Sequence, residues 1–174
     1  MTRASQSGFT LIEMMVTVAI VGALAAIALP MFAGESRKAK GDAEVGALFA
    51  ELAVREEQYA VENGRYLATG ASESATFPAT PSPRAQALGT LPASWQTLKV
   101  RPPEDAVRCG YVVIAGTSGT AAGAIAGATF GYTPPANNWF YVLAHCDLDG
   151  NNANDSYYFA SSDDAKIQKS NPGR

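Results

Sequence analysis

The stretch from Phe9 to Leu29 carries no charge except Glu13, and it constrains the chain more than any other feature. About 20 apolar residues are needed for a helix to cross the hydrocarbon core of a bilayer, so this run is long enough to span. An acid inside such a run is costly and usually marks a function. The plain account of Glu13 is its place near the helix N-terminus, where the macrodipole favours an anion and offsets part of that cost. Two ordinary uses of the run fit incompletely. A cleaved secretory signal has a shorter apolar region, about 7–15 residues, behind a basic segment. Here the run is longer, holds an acid and follows a single basic side chain, Arg3, although Ala26 and Ala28 could imitate a small-residue cleavage site. A simple membrane anchor accounts for the length but not for Glu13.

The rest of the chain sets the frame. Its 174 residues suffice for one modest domain plus an additional element. With 47% hydrophobic and 17% charged residues it has the composition of a folded protein. A formal net charge of −3 argues against broad electrostatic binding to nucleic acid. The aromatic residues of the C-terminal half have few basic neighbours, so a base-stacking platform is not expected there. One histidine, His145, and two cysteines, Cys109 and Cys146, leave little material for a Cys–His or Ser–His catalytic pair.

Gly8-Phe9-Thr10-Leu11-Ile12-Glu13, with the apolar run behind it, resembles the N-terminus of type IV pilins and of type II secretion pseudopilins. The resemblance implies cleavage between Gly8 and Phe9 by a prepilin peptidase, removing a leader of residues 1–8. It implies N-methylation of Phe9 and an assembly role for the carboxylate of Glu13. Pro30 matches a proline found at that place in many pilins. The implied partners are further copies or related pilins in a filament, the inner-membrane assembly machinery, and membrane lipid before assembly. The implied location is the bacterial inner membrane as a single-pass subunit, then an extracellular pilus or a periplasmic pseudopilus. Adhesion, motility, DNA uptake and secretion all remain open as roles.

Physical chemistry supplies a reason for Glu13. Cleavage would give Phe9 an α-amino group with an unperturbed pKa of about 8, mostly cationic at neutral pH. In a dry filament core a lone carboxylate is expensive, and a paired one much less so. A neighbour's Phe9 ammonium could pair with Glu13 and so fix the register of one subunit against the next. Phe9 and Glu13 are also four apart on one chain, so pairing within the chain is equally open.

Beyond Leu29 the pattern changes. Pro30 removes a backbone donor and predicts a kink or a locally melted segment, with Gly22 and Gly34 as weaker points. Residues 9–30 form the membrane or filament-core half and residues 31–63 an amphipathic half. In the second half Val45, Leu48, Phe49, Leu52 and Tyr59 share a helical stripe suited to a sheet, while Glu44, Glu51, Arg55 and Glu62 fall mainly elsewhere. Glu51 and Arg55 stand four apart in the favourable order. Asn63-Gly64 is a helix stop.

Residues 64–174 read as a globular head. Ala68–Pro92, rich in Ala, Ser, Thr and Pro, reads as a long surface loop, either inert or bearing subunit contacts. Strands are expected at Gln96–Val100, Arg108–Ala115, Thr129–Thr133, Trp139–Cys146 and Ser156–Ala160. A flexible loop is expected within Ala115–Gly131, and a frayed tail from Lys166 onward. Short turns favour antiparallel pairing. The expected class is therefore α+β: a long N-terminal helix, its apolar half protruding, packed on a small C-terminal antiparallel β-sheet.

Export would place Cys109 and Cys146 in an oxidising compartment, where a disulfide is expected; many pilins have a C-terminal one. The alternative is a metal site of Cys109, His145, Cys146 and Asp147, which strand alternation disfavours because His145 and Cys146 diverge. Asp147, Asp149, Asn151 and Asp155 offer oxygen ligands of the kind calcium uses. They lack the EF-hand glycine spacing, and a hairpin turn draws on the same residue types. No other cofactor is expected. The sequence thus reads as a non-catalytic filament subunit, with a membrane-anchored or secreted binding domain as the rival.

Overall fold

The computed structural model describes residues 8–102, 104–151 and 155–171. The leader's Met1–Ser7 lie outside the described residues. The chain divides into two compact units, Met1–Ser36 and Arg37–Arg174. A single helix, α1, runs from Leu11 to Asn63 and contributes to both. It continues through Pro30, so of the kink or locally melted segment expected there the melted segment does not occur. The ring forfeits only one bond, to the carbonyl four residues back at Ala26. α1 ends where Asn63-Gly64 predicts: Gly64 takes φ +71°, and its N–H donates to the Ala60 carbonyl at 2.8 Å.

In the second unit, α1 buries Gly41, Val45, Leu48, Phe49, Leu52 and Glu56. Four of the expected stripe residues, Val45, Leu48, Phe49 and Leu52, are buried with Gly41 and Glu56 added, while Tyr59 is only partly buried against the core. These residues join a core with alternate residues of a four-stranded antiparallel sheet, ordered β3 (Gly110–Gly116), β4 (Trp139–Cys146), β5 (Ser156–Ser161) and β6 (Gln168–Ser170). A separate two-stranded pair joins β1 (Gln86–Ala87) to β2 (Ala106–Val107). On β4, Phe140, Val142, Ala144 and Cys146 face this helix-side core. Trp139, Tyr141 and Leu143 face the opposite way, into a second cluster.

That second cluster corrects the expectation of a flexible loop within Ala115–Gly131 and of a strand at Thr129–Thr133. Ile125–Thr129 forms a single π-helical turn. Together with Ala122, Phe130 and Tyr132, this segment covers the sheet's other face. Phe130 stacks on Phe159 at 5.1 Å, and Trp139 on Tyr141 at 5.7 Å. β4 is therefore buried on both faces, which its near-continuous apolar run permits. Glu73 anchors the turn by accepting the N–H groups of Ile125 and Ala126, at 2.7 and 2.8 Å, and the Tyr141 hydroxyl.

Three other expectations are corrected. Gln96–Val100 is not a strand. Helix α2 occupies Ala93–Leu98, buries Trp95 and Leu98 three apart, and closes on Lys99 in the left-handed region. The Ala68–Pro92 segment is not wholly a surface loop. Thr69 and Phe77 hydrogen-bond along β3 at Val113 and Tyr111 and cover what would be an open sheet edge. The tail is not frayed at 168–170: β6 pairs with Tyr157–Phe159, and Lys169 reaches Asp42 at 2.7 Å across the Tyr158 ring.

Candidate functional site

In the first unit, α1 begins just after Thr10. The Thr10 hydroxyl oxygen accepts the Glu13 N–H at 3.3 Å, and the Thr10 carbonyl accepts the Met14 N–H at 3.2 Å. Thr10 is thus an N-cap with Glu13 at the third helical position, the pattern of half a capping box. This accounts locally for an acid at the start of an apolar helix. One turn later the Thr17 hydroxyl lies 2.9 Å from the carbonyls of both Glu13 and Met14. Glu13 contributes its N–H and its carbonyl to these bonds. Among the described residues its carboxylate has no partner.

The side chains around this point are bare. Phe9 is 80% exposed, Leu11 77%, Leu24 64%, Ile27 66% and Phe32 76%. The segment is long and apolar enough to cross a membrane, and none of its most apolar window is buried within the unit. So large an apolar surface calls for lipid or protein against it. Gly8 and Phe9, the expected cleavage and methylation positions, precede the helix and are open. Pro30 lies within it.

In the second unit, Cys109 and Cys146 are joined by a disulfide and are fully buried, at the end of β3 and β4 where Gly110 pairs with His145. The alternative metal site on these cysteines is excluded, since their thiolates are consumed in the bond. Glu44, expected off the apolar stripe, ties α1 to the chain at the start of β3. Its Oε1 accepts from the Arg108 and Cys109 amides and the Tyr111 hydroxyl, and its Oε2 from the Arg108 guanidinium. A cleft of about 370 Å³ beside it is lined by Lys40, Glu104 and Arg108 among others. The helical spacing of the stripe could have revealed Glu56. Glu44 and Glu73 carry no comparable signal.

Three of the four acidic-loop residues expected as calcium ligands are acids held by local hydrogen bonds or an ion pair. Asp147 accepts the Gly150 N–H at 2.7 Å, and Asp149 accepts the backbone and side-chain N–H groups of Asn151. Asp155 pairs with His145, whose ring stacks on Tyr157 at 4.9 Å. Among the described residues no group of three or more histidine, cysteine or acidic side chains is arranged to hold a metal.

Comparison with known proteins bears on the first unit. Residues 3–29 match the family model described as the prokaryotic N-terminal methylation motif. The fimbrial protein EcpB of Eikenella corrodens is 49% identical over 47 residues, which is 27% of this chain and 27% of that protein. The match thus spans about a quarter of that relative's length. No solved structure matches the chain. The exposed apolar helix start that holds Phe9 and Glu13 therefore carries a prokaryotic N-terminal methylation motif.

Proposed function

We propose that the chain is a structural subunit of a type IV pilus-like filament. In this reading its apolar segment lies in the inner membrane until a prepilin peptidase cuts between Gly8 and Phe9. Phe9 is then methylated, and the subunit polymerises through its N-terminal helix with further copies or related pilins. The observation that carries the reading is the coincidence of the methylation motif with a bare apolar helix face whose one acid has no side-chain partner among the described residues. The named fimbrial relative favours a pilus over a type II secretion pseudopilus. The buried disulfide of the second unit suits a head that must survive outside the cell.

Mass spectrometry of the mature chain tests the reading. The expected N-terminus is methylated Phe9. An intact Met1 would mean a plain anchor, and a start near Gly34 a secreted binding domain; either result rejects the filament subunit.

A further inference from the structure

Resting on the filament reading above, we infer that the cleft beside Glu44 receives Val61 of a second copy, with Lys40 facing the neighbour's Glu62 and Glu104 its Arg65. Both surfaces belong to the second unit. The cleft, about 370 Å³, has an apolar floor that includes Ala47, Leu48 and Val107, and Lys40 and Glu104 stand on its lining. Glu44 and Arg108 neutralise each other there at 3.1 Å. Lys40 and Glu104, one charge of each sign, have no hydrogen-bond or ion-pair partner among the described residues.

The far end of α1 offers the counterpart. Val61 is 87% exposed, the barest large apolar side chain among the described residues. Glu62 adjoins it, and Arg65 follows just past the Gly64 stop; both are exposed and have no partner among the described residues. Each surface thus holds an apolar centre and one free charge of each sign. Burying Val61 on the cleft floor removes apolar surface of both copies from water, which supplies the attraction. Exposed ion pairs add little affinity. Here they choose the orientation, because turning the knob end for end would set Lys40 against Arg65 and Glu104 against Glu62. Ala47 and Val61 lie about 21 Å apart along α1, at 1.5 Å per residue, so a copy cannot fill its own cleft. The two surfaces differ, and the contact is therefore heterologous. Each copy takes one neighbour into its cleft and enters the cleft of another, and such a contact propagates unless its rotation closes a ring.

The test uses the full chain in cells that assemble the filament. Ala47→Cys/Val61→Cys adds two exposed thiols too far apart to bond within one chain, and the native cysteines are already joined. Mild oxidation of sheared filament should give a ladder of dimers, trimers and longer cross-linked chains on a non-reducing gel. Each single-cysteine variant should stay monomeric, and the two expressed together should stop at dimers. Lys40→Glu and Glu62→Lys should each lower filament yield by about threefold, and Lys40→Glu/Glu62→Lys should restore it. Chains that are cut, methylated and assembled but give no ladder overturn this inference alone. So does a Val61→Cys chain that cross-links to its own kind, which would mean a like-with-like contact, or to another protein, which would mean a different occupant. A double charge reversal as defective as the single ones overturns it as well. A wild-type chain not cut after Gly8 overturns the underlying reading together with it.

Discussion

Glu44 Oε1 lies 3.1 Å from the amide nitrogen of Cys109, so a carboxylate on α1 holds the backbone of the first disulfide cysteine. The same oxygen takes the Arg108 amide at 2.8 Å and the Tyr111 hydroxyl at 2.9 Å, and Oε2 takes the Arg108 guanidinium at 3.1 Å. Burial, with Glu44 beside it, pushes the Tyr111 hydroxyl far above the ordinary phenol range, so it remains a donor at any working pH. Glu44→Ala strips the acceptor from two backbone N–H groups and a buried hydroxyl. We expect a loss of about 3 kcal/mol. Glu44→Gln retains an acceptor oxygen and should lose clearly less. Denaturant unfolding of the detergent-solubilised chain reads both, and an unchanged midpoint for Glu44→Ala would refute the assignment.

The disulfide closes a loop of sequence separation 37. Constraining the unfolded chain by a loop of that length is worth about 4 kcal/mol. The paired substitution Cys109→Ser/Cys146→Ser should therefore lower stability by that order, and reductant should do the same to wild type. Melting with and without reductant checks it. The double variant should be insensitive to reductant, because Cys109 and Cys146 are the chain's two cysteines.

Glu73 holds the cover of the sheet's second face. Its carboxylate sits so close to Gly123 that a Cβ there would come within 2.3 Å of its carboxyl carbon. Glu73→Ala should leave the N–H groups of Ile125 and Ala126 without their acceptor and release the Tyr141 hydroxyl. The expected signature is local: faster amide exchange across Ile125–Thr129, with α1 and β5 unchanged. Gly123→Ala should produce the same pattern. Protection unchanged in Glu73→Ala would mean that aromatic packing alone holds the turn.

The parts of this fold that could be read from sequence are those with a periodic signal. The Val45–Tyr59 stripe, the Asn63-Gly64 stop and the strand Trp139–Cys146 all follow from side-chain spacing and local backbone preference. What escaped depends on contacts far apart in sequence. Phe130 and Tyr132 look like strand residues because they are aromatic and β-prone. They serve instead as a lid, because Glu73, some fifty residues earlier, caps the turn before them. Thr97 and Val100 likewise suggested a strand, yet Trp95 and Leu98 at helical spacing, behind Pro92, decide for α2. Glu44 falls off the apolar stripe, and nothing local says that the backbone at Arg108 and Cys109 will need an acceptor. At the N-terminus the reverse holds. The methylation motif and the bare apolar run are legible because they are written in consecutive residues.

Glu56 is a fully buried acid on the apolar stripe. Its Oε2 accepts the Leu67 N–H at 2.8 Å, and its Oε1 is buried with no hydrogen-bond partner. Burial is the main cause that raises its pKa from 4.5 to about 7, with Glu57 adding to it and the Leu67 bond opposing it. The folded state therefore holds this proton more tightly than the unfolded chain does. The stability tied to it is complete below about pH 4.5, declines as pH rises through that window, and is gone above about pH 7. The whole step is on the order of 3 kcal/mol. Glu56→Gln keeps an oxygen for Leu67 and removes the titration. It should be more stable than wild type at pH 8. At pH 4 the order should reverse, because wild type is then neutral while the variant's amide donors meet the same unpartnered pocket. Melting temperatures of the two chains across pH 4–8 give the difference directly, with the other carboxylates common to both. A difference that stays flat across that range would mean Glu56 is already neutralised by some other contact or is never desolvated.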